Sequence, residues 1–566
     1  MDAGRLLRLG VVAGWAALLA GCALEEARPL TELRPARPEE EFSGSAAGAY
    51  LAGREAQGRH DLESAAFYLA RALALDPDNV EILHRAAVAL ALQGRVKDAA
   101  ALAIRLEAFD EESTVPVMLL AEQRAKQDDW AGLSALLAPL PERGLYSYLL
   151  PLNRAWAKMG EGDVDAALQA LKALDHVQGL SVLRDFNQAL ITDLAERPQE
   201  AEKAYRATLA APAGRSLRTV SLFAGFLHRH GREAEASQLV TAFRHDHPDL
   251  PDLEFSDRRL VASPAEGMAE GFFGAALTLR QAGAVDLALF FSQLALDLRP
   301  DFPLAKVMLG DILSGLSQWE AANLYYRQLP PGSPLYRGVR LRVAHNLEEQ
   351  GRVDEAAAQL ESLAQEAPAQ ADAPLALGDL FRRQRRWLEA VQGYDRAVAI
   401  LEKEGRDEWA LYYARGIALE RANLWPRAEA DLLHALELQP DEPQVLNYLG
   451  YSWVEQGVNL PRATQMIEKA VSQRPEDGFI IDSLGWAFYR SGDFPRAVET
   501  LQKAVALEPG DAAINDHLGD ALWSAGRREE ARFQWQHALL FDPDPELKAQ
   551  LAKKLQQAAG PVQDEQ

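Results

Sequence analysis

One spacing, 34 residues, constrains this chain more than any other feature. Gly485 and Trp486 are followed by Gly492, Asp493 and Phe494, then Ala497, Leu501, Ala504 and Pro509. The next stretch repeats the set at an offset of 34, with Gly519, Gly526, Ala531, Trp535, Ala538 and Pro543. A unit this short, with a glycine in its middle and a proline at its end, holds two helices and a turn. It cannot bury its apolar face alone, so it must stack on copies of itself. The 566 residues would otherwise suggest three or four domains.

The phase continues toward the N-terminus. A unit from Trp409 carries Gly416, Trp425, Ala428, Ala435 and Pro440; one from Pro443 carries Gly450, Gly457, Ala463, Ala470 and Pro475. One from Ala371 carries Gly378, Trp387, Ala390, Tyr394 and Ala397, and earlier units begin at Ala269, Pro303 and Arg337. The first 248 residues keep the phase more loosely, through Gly53, Ala65 and Ala72, then Ala87 and Gly94, Ala121 and Trp130, Ala155 and Gly162, Ala189 and Ala201, and Ala224 and Gly231. This pattern resembles the tetratricopeptide repeat. Small residues at positions 8, 20 and 27 let the two helices approach, the glycine near 15 turns the chain, and proline at 32 stops the second helix. The expected fold is all-α, a tetratricopeptide-repeat superhelical solenoid of about 14 helix-turn-helix units. The expected organisation is an N-terminal solenoid over 44–248, a joint at 249–268, a C-terminal solenoid over 269–543, and a capping helix and tail over 544–566. Leu547, Leu551 and Leu555 give the cap its helical spacing.

The single cysteine, Cys22, excludes intramolecular disulfides and cysteine metal clusters. Arg5 and Arg8 precede an apolar stretch from Leu9 to Leu19, which ends Leu19-Ala20-Gly21-Cys22. This is the layout of a bacterial secretory signal over 1–21. Its end resembles the lipobox of bacterial lipoproteins, which implies an acylated Cys22 as the mature N-terminus. Ala23 stands where an aspartate would favour inner-membrane retention, so the expectation is the outer membrane, periplasmic face. Residues 22–43 carry Pro29, Pro35, Pro38 and the run Glu39–Glu41 and read as a disordered tether.

Fifty-nine basic residues face 83 acidic ones, a net −24, which becomes −25 once removal of 1–21 takes Asp2, Arg5 and Arg8. Nucleic-acid binding needs a basic face to displace counterions, so that class is disfavoured. No HExxH, GxSxG, phosphate-binding glycine loop or dinucleotide fingerprint stands in a suitable context. His228/His230 and His245/His247 are spaced i, i+2, which on a helix points the first pair to different faces; both pairs read as surface histidines near helix ends, with no metal site and no cofactor implied. The chain reads as a non-enzyme.

In tetratricopeptide arrays, by resemblance, the first helix of each unit lines a concave groove. Those positions in the last units are Asn447, Tyr451, Asp482, Trp486, Tyr489, Arg490, Asp516, Asp520 and Trp523. Aromatic rings mixed with amide, carboxylate and guanidinium groups suit a protein-binding surface. Trp486 and Trp523 could equally pack between units. Arg382, Arg383, Arg385 and Arg386 form the densest basic cluster in the repeats and read either as a solvated helix end or as a patch for an acidic partner.

The segments LNYLGYSWVEQG, DSLGWAFYRSGDFPRAVETLQKAV and INDHLGDALWSAGRREEA resemble a family of proteobacterial outer-membrane tetratricopeptide lipoproteins. Its best understood member type is the lipoprotein adaptor of a periplasmic carboxy-terminal processing protease, which presents cell-wall hydrolases for degradation. The resemblance implies the same partners here, with the membrane held through N-terminal acyl chains. The alternative is a structural scaffold for envelope assembly or polysaccharide secretion.

Overall fold

The computed structural model describes residues 44–109, 113–176, 179–246 and 259–558. The signal at 1–21, Cys22, the tether to residue 43, His247, the first part of the expected joint and the tail from 559 lie outside the described residues. Among the described residues there are 29 α-helices and no strand: fourteen successive pairs, then one final helix. Helices are named below by their bounds, and the pairs are numbered as repeats one to fourteen.

Repeat thirteen shows how the sequence builds each pair. Asp477 caps the first helix, Gly478–Arg490, by accepting from Ile480 N at 3.2 Å. Asp493 caps the second, Phe494–Leu507, by accepting from Arg496 N at 3.3 Å, with Pro495 in the first turn. The small residue at position 8 decides how closely the helices approach. A Cβ on Gly485 would meet Leu501 Cγ at 2.5 Å, and one on Gly519 would meet the Trp535 ring at 2.4 Å.

The turn between the helices of each pair contains a left-handed residue, and these residues carry the period. They are His60, Gly94, Asp128, Gly162 and Glu196, spaced 34 apart, then Gly231; after the interruption come Gly283, Ser317, Gly351 and Arg385, again spaced 34. Asn423, Gly457, Gly492 and Gly526 complete the fourteen. The wider step from Arg385 to Asn423 follows from a 17-residue second helix, Trp387–Lys403. A side chain at positive φ costs about 1–2 kcal/mol that glycine escapes. Arg385 is exposed at φ 57°, so Arg385→Gly should raise stability by about 1 kcal/mol, read as a higher urea midpoint.

The chain divides into two compact units at Leu363/Ala364. This corrects the division expected at 249–268. Residues 259–268 belong to the first unit. Arg259 lies 3.5 Å from Asp193 and 3.4 Å from Glu196, and Val261 is buried. Ser263 accepts from Glu266 N at 3.2 Å while Glu266 accepts from Ala262 N at 2.7 Å, which is close to a reciprocal capping box. That cap starts an 18-residue helix, Pro264–Gln281, ahead of the repeat boundary.

Repeat seven then packs back on the earlier repeats of its unit. Helix Pro264–Gln281 meets the first helices of repeats three, four and five. Buried Trp156 lies so close to Gly267 that a Cβ there would meet its ring at 2.2 Å, and its indole donates to Asn187 Oδ1 at 2.9 Å. Helix Val285–Leu298 meets Val80–Leu92, where Gln293 donates to Leu92 O at 3.3 Å and to Tyr325 at 2.9 Å. Gln318 donates to His60 O, and Lys126 pairs with Asp297. The first-helix face of repeats three to five is therefore covered by the chain itself.

The second unit holds repeats ten to fourteen around a main core, from Ala390 to Leu551, and a small separate cluster of Ile481, Ala504 and Ile514. Helix Pro545–Ala558 covers the last repeat with buried Leu551, flanked by Leu547 and Leu555.

Candidate protein-binding face

With the first-helix face of repeats three to five covered by repeat seven, the first helices of the second unit are the next place to look for a partner. Two of them, Trp409–Arg421 and Gly478–Arg490, set an aromatic ring against the next repeat. In repeats eleven and twelve, Trp409 lies 6.4 Å from Tyr413, and Tyr413 meets Tyr448 edge-on at 5.9 Å. Tyr448 donates to Glu420 at 3.0 Å. Tyr451 is half-buried; burial pushes its phenol up, and the charges of Glu455 and Asp482 add to this. Asn447 is half-buried, and its amide oxygen has no hydrogen-bond partner.

Repeat thirteen supplies a stacked slab. Trp486 stacks on Tyr489 at 4.6 Å and on His517 of repeat fourteen at 4.2 Å, with interplanar angles of 16° and 18°. The Trp486 indole donates to Glu455 Oε1, and Arg490 donates to Glu455 O at 3.0 Å. Trp486, Tyr489 and Arg490 all remain partly exposed. Trp523 lies 5.4 Å from Trp535, with the Arg528 guanidinium 5.0 Å from its ring. Trp486 packs against the next repeat and Trp523 within its own, and each keeps part of its ring in solvent.

The carboxylates behave differently from the expectation. Asp482 and Asp516 are buried. Asp482 faces His517 Nδ1, at 2.9 and 3.0 Å from its two oxygens. Asp516 accepts from Lys554 of the final helix at 2.7 and 2.8 Å, and Asp520 accepts from Lys554 at 2.8 Å and from the Trp535 indole at 3.2 Å. These three acids join the last repeats to one another and to the cap, and do not serve as free acceptors for a partner. Charges this close to their counter-ions are neutralised within the fold. Burial raises the pKa of Asp516 and the charge of Asp520 raises it further, against Lys554 and His517.

Sequence reasoning placed the face at single helix positions and so missed Tyr448 and His517. Each directly follows a named residue, Asn447 or Asp516, and a face read two positions wide would have included both.

The basic cluster is largely engaged within the fold. Arg382 donates to Tyr394 at 3.0 Å and lies 3.5 Å from Asp379. Arg386 donates to Glu389 at 2.7 Å and covers Phe381 at 4.5 Å. Arg383 is exposed, and Arg385 occupies the left-handed turn. The four do not make a continuous anion patch, which corrects the sharper of the two readings. Among the described residues no group of three or more His, Cys, Asp or Glu side chains is arranged to hold a metal ion.

A family model described as "Tetratricopeptide repeat" matches residues 50–112, 341–404, 413–477 and 483–547. The fold is a tetratricopeptide-repeat solenoid. The last two matched stretches hold most of the aromatic face, so the tetratricopeptide pattern and the candidate site coincide there. A tetratricopeptide repeat-containing protein of Pseudomonas aeruginosa is 31% identical over 173 residues, which span 30% of this chain and 28% of that relative. Among solved structures it resembles Cut9 bound to Hcn1 (TM-score 0.36, 16% identity, 91% of this chain and 96% of that one). It also resembles yeast Tom70 (TM-score 0.34, 14% identity, 91% and 95%). Tetratricopeptide repeats imply a surface for protein–protein interaction.

Proposed function

We propose that this protein is a non-catalytic adaptor lipoprotein, held at the periplasmic face of the outer membrane through acylated Cys22. It binds a carboxy-terminal processing protease and presents cell-wall hydrolases to it. The signal-like start and the C-terminal resemblance motivate the location and the partners. The observation that carries the binding role is the half-exposed slab of Trp486 and Tyr489, whose neighbouring carboxylates are already neutralised. Such a surface offers ring area and little free charge, which suits an apolar or aromatic segment of a protein partner.

The mechanism is tethering. An adaptor that holds enzyme and substrate together raises their local concentration to about mM, as for short linkers, and needs no catalytic group of its own. Trp486→Ala should weaken binding of the protease by at least about tenfold, about 1.4 kcal/mol, measured by titration calorimetry. Wild-type affinity in this variant, with its fold intact by circular dichroism, would remove the slab from the binding surface.

A further inference from the structure

We infer that His517 controls the aromatic slab by protonation: the charged imidazole locks Trp486 and Tyr489 into a fixed surface, and the neutral imidazole releases them. The inference rests on the reading of this face as the partner-binding one and adds its regulation.

The geometry is specific. The His517 ring lies parallel to the Trp486 indole at 4.2 Å, so a charge on it acts on the ring face as a cation–π partner. Its Nδ1 sits against both oxygens of buried Asp482, from the same helix as Trp486. Helix Gly478–Arg490 thus holds His517 at two points, one aromatic and one ionic. Tyr489 continues the stack on the other repeat. Arg490 and the Trp486 indole both hold Glu455 of repeat twelve, which ties the slab to the preceding repeat.

The surrounding charges favour the proton. Helix Gly478–Arg490 brings Asp482, and His517's own helix, Ala512–Ser524, brings Asp516 and Asp520. The final helix brings Lys554, which binds Asp516 and Asp520. Helix Arg528–Ala538 contributes His537, which is turned to Asn515. Three carboxylates therefore meet one lysine, and a protonated His517 supplies the second positive charge. Burial opposes that charge, but Asp482 with Asp516 and Asp520 outweighs it and holds the imidazole above its ordinary value of 6.5. The sign follows. The lock is complete below pH 6.5 and is lost as pH rises through the higher value of the folded protein.

The full chain, labelled with 5-fluorotryptophan, tests this by fluorine NMR between pH 5 and 9. The Trp486 signal is assigned by its loss in Trp486→Phe. It should shift with one midpoint above 6.5, stay still in His517→Gln, and titrate at lower pH in Asp482→Asn. A Trp486 signal indifferent to pH, or one that titrates identically in His517→Gln, would overturn the inference. Binding of the processing protease is then measured at pH 6 and 9. About tenfold weaker binding at pH 9 in the wild type, with under about twofold change in His517→Gln, supports the regulatory role. Equal pH dependence in both proteins overturns it. No binding at either pH overturns the functional reading of the face, and the NMR titration alone then decides the switch.

Discussion

Glu122→Gln is expected to stabilise the protein, and to do so more strongly as pH rises. Glu122 is 2% exposed on helix Thr114–Lys126, and one of its carboxyl oxygens has no hydrogen-bond partner. It faces Asp297 of the returning helix Val285–Leu298, with Lys126 on its own helix. Burial, then the charge and hydrogen bond of Asp297, push its pKa up to about 9, against a smaller opposing effect of Lys126. The folded protein therefore holds a proton between pH 4.5 and about 9 that the unfolded chain has released. Stability is complete below 4.5 and falls as pH rises through that window. Glutamine keeps the volume and the hydrogen bond and has nothing to ionise. At pH 8 the gain should be on the order of 2–4 kcal/mol, allowing for water entry around a buried carboxylate. Thermal midpoints at pH 5, 7 and 9 check this: the two proteins should nearly coincide at pH 5 and separate upward. Parallel curves would show that Glu122 ionises freely and that repeat seven does not bury it.

Removing the carboxylate of Glu270 should have the opposite and larger effect. Its side chain is 1% exposed between two guanidiniums, Arg218 from repeat six and Arg299, whose Nη1 lies 3.1 Å away. Both guanidiniums also approach the Phe302 ring, at 5.4 and 4.9 Å. This cluster ties repeat six to repeat seven across the interruption in the repeat. Glu270→Ala removes the carboxylate that Arg218 and Arg299, 14% and 7% exposed, have in common, while Asp301 lies 3.3 Å from Arg299. Breaking a buried pair in this way costs about 3–5 kcal/mol. Replacing all three charges by Glu270→Leu, Arg218→Met and Arg299→Met should recover most of that loss, because the desolvation penalty disappears with the pair. Urea denaturation of the single and triple variants gives both numbers. A neutral Glu270→Ala would mean that water, not the fold, satisfies the two arginines.

The repeat architecture was readable because it rests on backbone geometry. The glycines at 94, 162, 283, 351, 492 and 526 mark left-handed turns, and Gly485 and Gly519 mark close helix approach, so the pattern in the letters is the pattern in space. The return of repeat seven was not readable. Gln293 and Leu92 are 201 residues apart, and nothing periodic links them. Residues 249–268 looked like a joint because they lack the repeat, yet Ser263 and Glu266 begin a helix there. In the second unit the periodicity picked out Trp486 and Tyr489, which stack on one another and stay partly exposed. It could not show that Asp516 and Asp520 meet Lys554, because that lysine comes from the final helix, which carries no repeat.

The most direct test of the central claim is the rate at which a carboxy-terminal processing protease degrades a cell-wall hydrolase, with and without the purified full chain. The adaptor account predicts no hydrolysis by the chain alone and acceleration by the chain of at least about tenfold, from raised local concentration. That acceleration should be lost in Trp486→Ala. Hydrolysis by the chain without the protease, or an unchanged protease rate in its presence, would contradict the account.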